Sequence, residues 1–142
     1  MINRALYSSE RDNWATPQDF YEKLDAEFHF TLDPCADEQN RKCDKYYTME
    51  TDGLLQDWSG ETVFANPPYG REIGRWVKKC YDESRKPGTT VVMLVHARTD
   101  TRWFHDYIYG KAEIRFVKGR LKFGGSKNSA PFPSMVVVFR NS

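Results

Sequence analysis

The sequence predicts an α/β domain built on a mostly parallel sheet with helices on both faces. Three observations predict it. Short apolar strand segments alternate with amphipathic helical segments along the chain, which is the pattern of a layered α/β domain. Residues 90–95 read as one continuous apolar strand, which implies burial on both faces. The chain has 142 residues, 39% apolar and 15% aromatic, enough for one ring-rich core but not two.

The elements follow in order. Residues 1–13 are polar and are expected to form a loose arm ahead of a single domain over 14–142. Thr16-Pro17-Gln18-Asp19 predicts a helix start, with Thr16 as cap, Pro17 in the first helical position and Asp19 completing a weak capping box. Phe20, Leu24 and Phe28 mark its apolar face. Residues 28–32 alternate and run into Asp33-Pro34, which predicts a strand carrying Asp33 at its carboxyl end. Residues 35–60 are irregular apart from a short strand expected over 46–49. Residues 62–65 are a compact strand that two successive prolines stop at Asn66-Pro67-Pro68-Tyr69-Gly70. Ile73, Trp76, Val77, Cys80 and Tyr81 recur at helical spacing until Pro87-Gly88. After the 90–95 strand, Trp103, Phe104, Tyr107 and Ile108 mark another helix ending near Gly110. Residues 114–117 and 135–139 are two further strands without a helix between them, so an antiparallel pair is expected at the carboxyl end of the chain.

Charge is unevenly spread. Residues 1–110 carry 14 Lys/Arg against 19 Asp/Glu, whereas residues 111–142 carry 7 against the single Glu113. A basic end on an acidic body suggests a polyanion contact, although a solvated basic strand edge gives the same count. Cys35, Cys43 and Cys80 have no paired spacing, so reduced thiols rather than disulfides are expected, and no metal site is assigned. No apolar run reaches the roughly 18–20 residues of a membrane span, and the start lacks a secretory apolar stretch. A cytoplasmic protein without membrane contact is the expectation.

In such sheets ligands bind beyond the carboxyl ends of the strands, where Asp33, Asn66 and the segment 96–100 are expected to meet. The strongest chemical signal is Asn66-Pro67-Pro68-Tyr69. The amide oxygen of Asn66 and the carbonyl of Pro67 can each accept one hydrogen of a planar NH2 group. Doing so localises the nitrogen lone pair for in-line attack on a methyl group. The prolines preorganise this acceptor pair, and Tyr69 can stack on the ring that bears the amine. A base inside a duplex would have to be flipped out to reach it. The competing reading is a proline-rich turn with Tyr69 merely packing.

Phe64-Ala65-Asn66-Pro67-Pro68-Tyr69-Gly70 resembles motif IV of amino-methyltransferases acting on adenine. The order of blocks resembles the small phage-type DNA adenine methyltransferases, the Dam-like family. These blocks run through Trp14-Ala15-Thr16-Pro17, Leu32-Asp33-Pro34-Cys35-Ala36, Ala97-Arg98-Thr99-Asp100-Thr101, Gly119-Arg120-Leu121-Lys122-Phe123 and Ala130-Pro131-Phe132-Pro133. The resemblance covers about residues 14–139. It implies a Rossmann-like class I methyltransferase sheet with an antiparallel C-terminal strand and no separate recognition domain. It also implies S-adenosylmethionine as cofactor and methylation of the N6 amine of adenine in double-stranded DNA.

Residue by residue, the resemblance implies that Thr16 and Pro17 touch the methionine end of the cofactor and that Asp33, Pro34, Cys35 and Ala36 form the first cofactor loop. Asp52-Gly53 would meet the cofactor's adenine, and Asn66, Pro67, Pro68 and Tyr69 would hold the target base beside the sulfonium. Phe123 or Phe132 would stack on the flipped adenine. Thr16 is equally readable as a helix cap, Asp33 and Asp52-Gly53 as turn formers, and the two phenylalanines as core plugs. The cofactor loop here has no glycine, which departs from the common methyltransferase pattern, and for the cofactor ribose only Asp37 or Asp44 suggest themselves. Arg98, Arg120, Lys122 and Lys127, with Arg115 and Lys118 nearby, are the candidates for phosphate contact.

The same motif would serve cytosine N4, an RNA base or a protein glutamine amide, and a non-catalytic DNA-binding module could keep the fold. A monomer or a homodimer fits equally, and the target site is unread beyond the GATC that the family's name suggests. A phage-encoded protein would act in the host cytoplasm.

Overall fold

The computed structural model describes residues 15–123 and 130–141. The expected arm over residues 1–13, Trp14, Gly124-Gly125 and Lys127 lie outside the described residues.

Helix α1 spans Gln18–Phe28. Strands β1 (Leu32–Asp33), β2 (Lys45–Tyr46) and β3 (Thr62–Ala65) follow, with a 3-10 turn at Gly53–Leu55 between the last two. Helix α2 (Ile73–Ser84) leads into β4 (Thr90–His96), a π-helical turn at Phe104–Ile108, and the strands β5 (Glu113–Phe116) and β6 (Ser134–Arg140). The six strands form one sheet in the order β2-β1-β3-β4-β6-β5. β2, β1, β3 and β4 are mutually parallel. β6 is antiparallel to both β4 and β5, so β5 runs in the same direction as β4. The expected antiparallel pair therefore exists, with β6 inserted between β5 and the parallel half.

The apolar run of β4 explains the two-layer cover. Val91, Met93 and Val95 join a cluster with Trp58, Ile73, Trp76, Val77, Cys80 and the π turn. Val92 and Leu94 point the other way, to Tyr21 and Leu24 of α1 and to Phe64, Phe123 and Ala130. Alternate side chains of a strand face opposite sides, so a strand covered twice must be apolar throughout.

Two expected elements differ. The strand expected over 28–32 is confined to Leu32–Asp33, and residues 28–31 lie outside it. Phe28 ends α1, His29 takes a left-handed φ of 60°, and the Asp25 carboxylate accepts from Phe30 N at 2.8 Å. The alternating rings instead pack on one another: Phe28 and Phe30 stack at 5.7 Å, and Phe30 meets Phe64 at 5.2 Å. The periodicity came from ring packing, not strand pairing. The helix expected at 103–108 is π-helical, closed by Tyr109 N donating to Phe104 O at 2.8 Å.

Candidate active site

The chain leaves β1 to one side, forms β2, and returns to form β3 on the other side of β1. That reversal opens a crevice at the carboxyl ends of β1 and β3, where open α/β sheets bind ligands. Asp33 ends β1 and Asn66 follows β3 there. β4 ends at the same edge, β5 exits there and β6 enters there, so residues 96–100, 117–123 and 130–133 converge on it. Three backbone bonds tie these loops together: Ala97 N to Pro133 O, Val117 N to Ser134 O and Ala130 N to Leu121 O.

Asn66 is buried, and its Nδ2 donates to Thr16 Oγ1 at 3.0 Å. Using the amide nitrogen in this way fixes the opposite orientation for Oδ1, which accepts from Tyr69 OH at 3.5 Å. Thr16 therefore does not cap α1: Pro17 holds the cap position without a side-chain cap bond, and Thr16, 5% exposed, borders the crevice. Pro67 is buried behind Asn66, whereas Pro68 and Tyr69 are half-buried.

Tyr69 sits in an aromatic group. Its ring meets His96 edge-on at 4.7 Å and Phe132 at 5.2 Å and 87°, and His96 meets Trp103 at 5.8 Å. Burial, then the nearby Arg98 charge, pushes the His96 imidazole down to about 4, so it is neutral at neutral pH. Phe123, by contrast, is 1% exposed within the core cluster of α1 and Phe64. Its ring is a core plug, because the 117–123 segment must seal the α1 side of the sheet. Phe132 is the ring of the pair that stands beside Tyr69.

Two clefts flank the loop after β1. A cleft of about 300 Å³ is walled by Pro34, Cys35, Ala36, Met49, Asp52, Gly53, Leu54, Pro68 and Trp76. A small pocket is lined by Thr16, Asp33, Cys35, Asn40, Lys42 and Asn66. Asp33 shapes this loop: Oδ1 accepts from Cys35 N at 3.2 Å and Oδ2 from Lys42 N at 3.0 Å. Gly53 has a steric reason to be glycine, since a Cβ there would lie 2.3 Å from Pro34 O. Asp52 takes a left-handed φ of 54° and its carboxylate accepts from Leu54 N at 3.1 Å. Asp52-Gly53 is thus more than a surface turn; it brings one wall of the large cleft against the other.

That wall is pinned from behind. Trp58 Nε1 donates to Gly53 O at 3.0 Å, and Trp58 N donates to Glu83 Oε1 at 2.7 Å. Glu83, on α2 and 4% exposed, also receives Lys86 at 2.7 Å and Lys79 at 3.4 Å. Sequence reasoning missed Glu83, Trp58 and the cleft residues Lys42, Met49 and Trp76. Trp76 read as a core residue by its helical spacing, and Lys42 as one charge among many. Neither Asp37 nor Asp44 lines a cleft: Asp37 accepts from Gln39 N and Asn40 N within its own loop, and Asp44 is exposed near Arg41.

Among the proposed phosphate contacts, Arg98, Lys118, Arg120 and Lys122 are exposed at the site edge. Arg115 is not available for that role. It makes a bidentate pair with Glu27 at 2.7 and 2.8 Å, pairs with Glu113, and lies over Phe28, fastening α1 to β5. No group of three His, Cys, Asp or Glu side chains converges among the described residues, and the three cysteines are buried and unlinked.

The parallel sheet thus carries a reversed strand near its edge, with the Asn-Pro-Pro-Tyr turn beside a crevice at the switch point. Residues 4–142 match the family model described as DNA N-6-adenine-methyltransferase (Dam), and the chain belongs to that family. It is 32% identical over 139 residues to the DNA N-6-adenine-methyltransferase of Haemophilus phage HP1 (strain HP1c1), covering 92% of this chain and 80% of that protein. It is 34% identical over 113 residues to the DNA N-6-adenine-methyltransferase of Escherichia phage T1, covering 78% of this chain and 47% of that protein, so it spans about half the length of this second relative.

Proposed function

We propose that this chain methylates the N6 amine of adenine in DNA, with Asn66, Pro67 and Tyr69 acting on the target base. The observation that carries the reading is the Thr16 to Asn66 hydrogen bond. It anchors the Asn66 side chain at the crevice, and with Nδ2 turned to Thr16 the amide oxygen is the end left for an incoming NH2 group, which supports this reading.

The clefts fit S-adenosylmethionine. The larger one has apolar walls from Met49, Leu54 and Trp76 for a planar base, and a glycine-permitted close approach at Pro34. The smaller one offers charges of both signs, Asp33 and Lys42, to an amino-acid group. Cys35 borders both. When bound, the cofactor supplies a methyl group activated by a sulfonium. The chain's own work is positional. Asn66 Oδ1 and the Pro67 carbonyl accept the two amine hydrogens and oppose delocalisation of the lone pair. Tyr69 and Phe132 hold the ring that bears the amine, their edge-to-face contact giving way to admit it. The methylated nitrogen is acidic and loses its proton to water.

Arg98, Arg120 and Lys122, all at the edge that bears Asn66, contact phosphates and keep the duplex over the crevice. No helix among the described residues is long and apolar enough to cross a membrane, and we read the place of action as the host cytoplasm.

The test is transfer of labelled methyl from S-adenosylmethionine to DNA, followed by digestion and identification of the nucleoside. Label in N6-methyldeoxyadenosine that Asn66→Ala abolishes, with the melting curve kept, is the expected result. Label in cytosine or in protein overturns it.

A further inference from the structure

The role just proposed leaves two polar side chains at the site edge without employment. His96 and Ser134 are Cα partners on the last rung joining β4 to β6. Directly opposed residues of an antiparallel pair project from the same face with neighbouring Cβ atoms. Ser134 is 1% exposed, and its Oγ has no hydrogen-bond partner among the described residues. The imidazole of His96, walled by Tyr69, Phe132 and Trp103, makes no hydrogen bond through either ring nitrogen among the described residues. Buried polar groups in native proteins are almost always satisfied, and a hydroxyl left orphaned carries a desolvation cost that a bound atom would remove. Ser134 is such a group, and the half-buried imidazole opposite it on the same rung, next to the ring that touches Asn66, marks a place for a ligand.

We infer that His96 and Ser134 form the polar edge of the target-base pocket and that one of them donates to N7, the acceptor beside the target amine that cytosine lacks, selecting adenine over cytosine. The inference rests on the reading of Asn66 and Tyr69 given above. With both amine hydrogens taken by Asn66 and Pro67, adenine still presents an acceptor nitrogen on each side of that amine, N1 and N7. Cytosine presents N3 on one side and only a C–H on the other. A neutral imidazole offers one N–H donor and a serine hydroxyl offers one O–H donor, so the rung supplies what adenine's edge lacks. A site built to hydrogen-bond one edge rejects the analogue that leaves its donors unpaired.

The experiment starts from the adenine that the protein methylates, mapped in DNA. Duplexes carry adenine, 1-deazaadenine, 7-deazaadenine or cytosine at that position, and kcat/KM is measured for the wild type, His96→Phe and Ser134→Ala. Phe keeps the ring packing without a nitrogen, and Ala removes a hydroxyl that has no partner among the described residues, so its melting temperature should not fall. 7-Deazaadenine is expected to lower the wild-type kcat/KM at least tenfold, with that penalty shrinking in one of the two variants. That variant should also narrow the gap between adenine and cytosine. Wild type that uses 7-deazaadenine as well as adenine overturns the inference without needing any variant. So do variants whose analogue penalties equal those of the wild type. Absence of methylated adenine in every DNA would instead strike the underlying function.

Discussion

Asn66 donates from Nδ2 to the hydroxyl of Thr16 at 3.0 Å, joining two residues fifty positions apart at the base of the crevice. An amide can present either its oxygen or its nitrogen to a substrate. With Nδ2 turned to Thr16, the oxygen is the end left facing away from it, which is the end an amine needs.

Thr16→Val keeps the shape and removes the acceptor. It is expected to lower kcat by about five- to tenfold, the worth of roughly one hydrogen bond in positioning, with little change in the melting temperature. Thr16→Ser should restore most of the rate. Steady-state methyl transfer checks both, and a Val variant as fast as wild type would remove Thr16 from the site.

Gly53→Ala places a methyl group against the Pro34 carbonyl. The loops must part, at a cost of about 1–3 kcal/mol, and the larger cleft must change shape. Calorimetric titration with S-adenosylmethionine should show weakened binding together with a lower melting temperature. Unchanged affinity would mean that the cleft is not where the cofactor binds.

Glu83→Ala leaves Lys79, Lys86 and Trp58 N without their shared acceptor. A buried partner lost in this way costs roughly 3 kcal/mol. Denaturant unfolding should report that loss, and the damage should spread to the 52–58 segment as faster amide exchange.

The imidazole of His96 is pushed down to about 4 by burial and Arg98, below its ordinary value. Between the ordinary value and 4 the unfolded chain binds a proton that the folded chain refuses. Stability is therefore present at neutral pH and is lost as pH falls through that window. Denaturant midpoints from pH 7 to 4 should decline for the wild type, and His96→Phe should decline less. Equal slopes would show that another group governs the decline.

Arg120→Gln and Lys122→Gln should each weaken DNA binding at low salt. Each phosphate contact removed should flatten the plot of log affinity against log salt by about 0.9. Arg115→Gln should instead lower stability, because its charge is spent on Glu27 and Glu113.

Local signals carried much of this fold. The 62–65 strand and its double-proline stop, the α2 stripe from Ile73 to Cys80, and the doubly buried β4 are all written in adjacent residues. What stayed unread depends on partners distant in the chain. Nothing near Thr16 announces Asn66, and nothing near Arg115 announces Glu27, so one looked like a cap and the other like a phosphate contact. Phe28 and Phe30 mimic strand alternation because two rings on one side of the chain stack whenever a core needs them. Gly53 looked like an ordinary turn glycine, since the carbonyl that demands it belongs to Pro34.

β6 fills the slot next to one edge of the sheet, between two strands made before it. On the ribosome, β4 emerges with the flank that β6 will occupy still unpaired, and its side chains there are almost all apolar. Until residues 134–140 are threaded in, that flank can hybridise with any extended segment nearby. Chaperone dependence and losses to inclusion bodies should therefore track the delivery of this late strand rather than the strength of the parallel half.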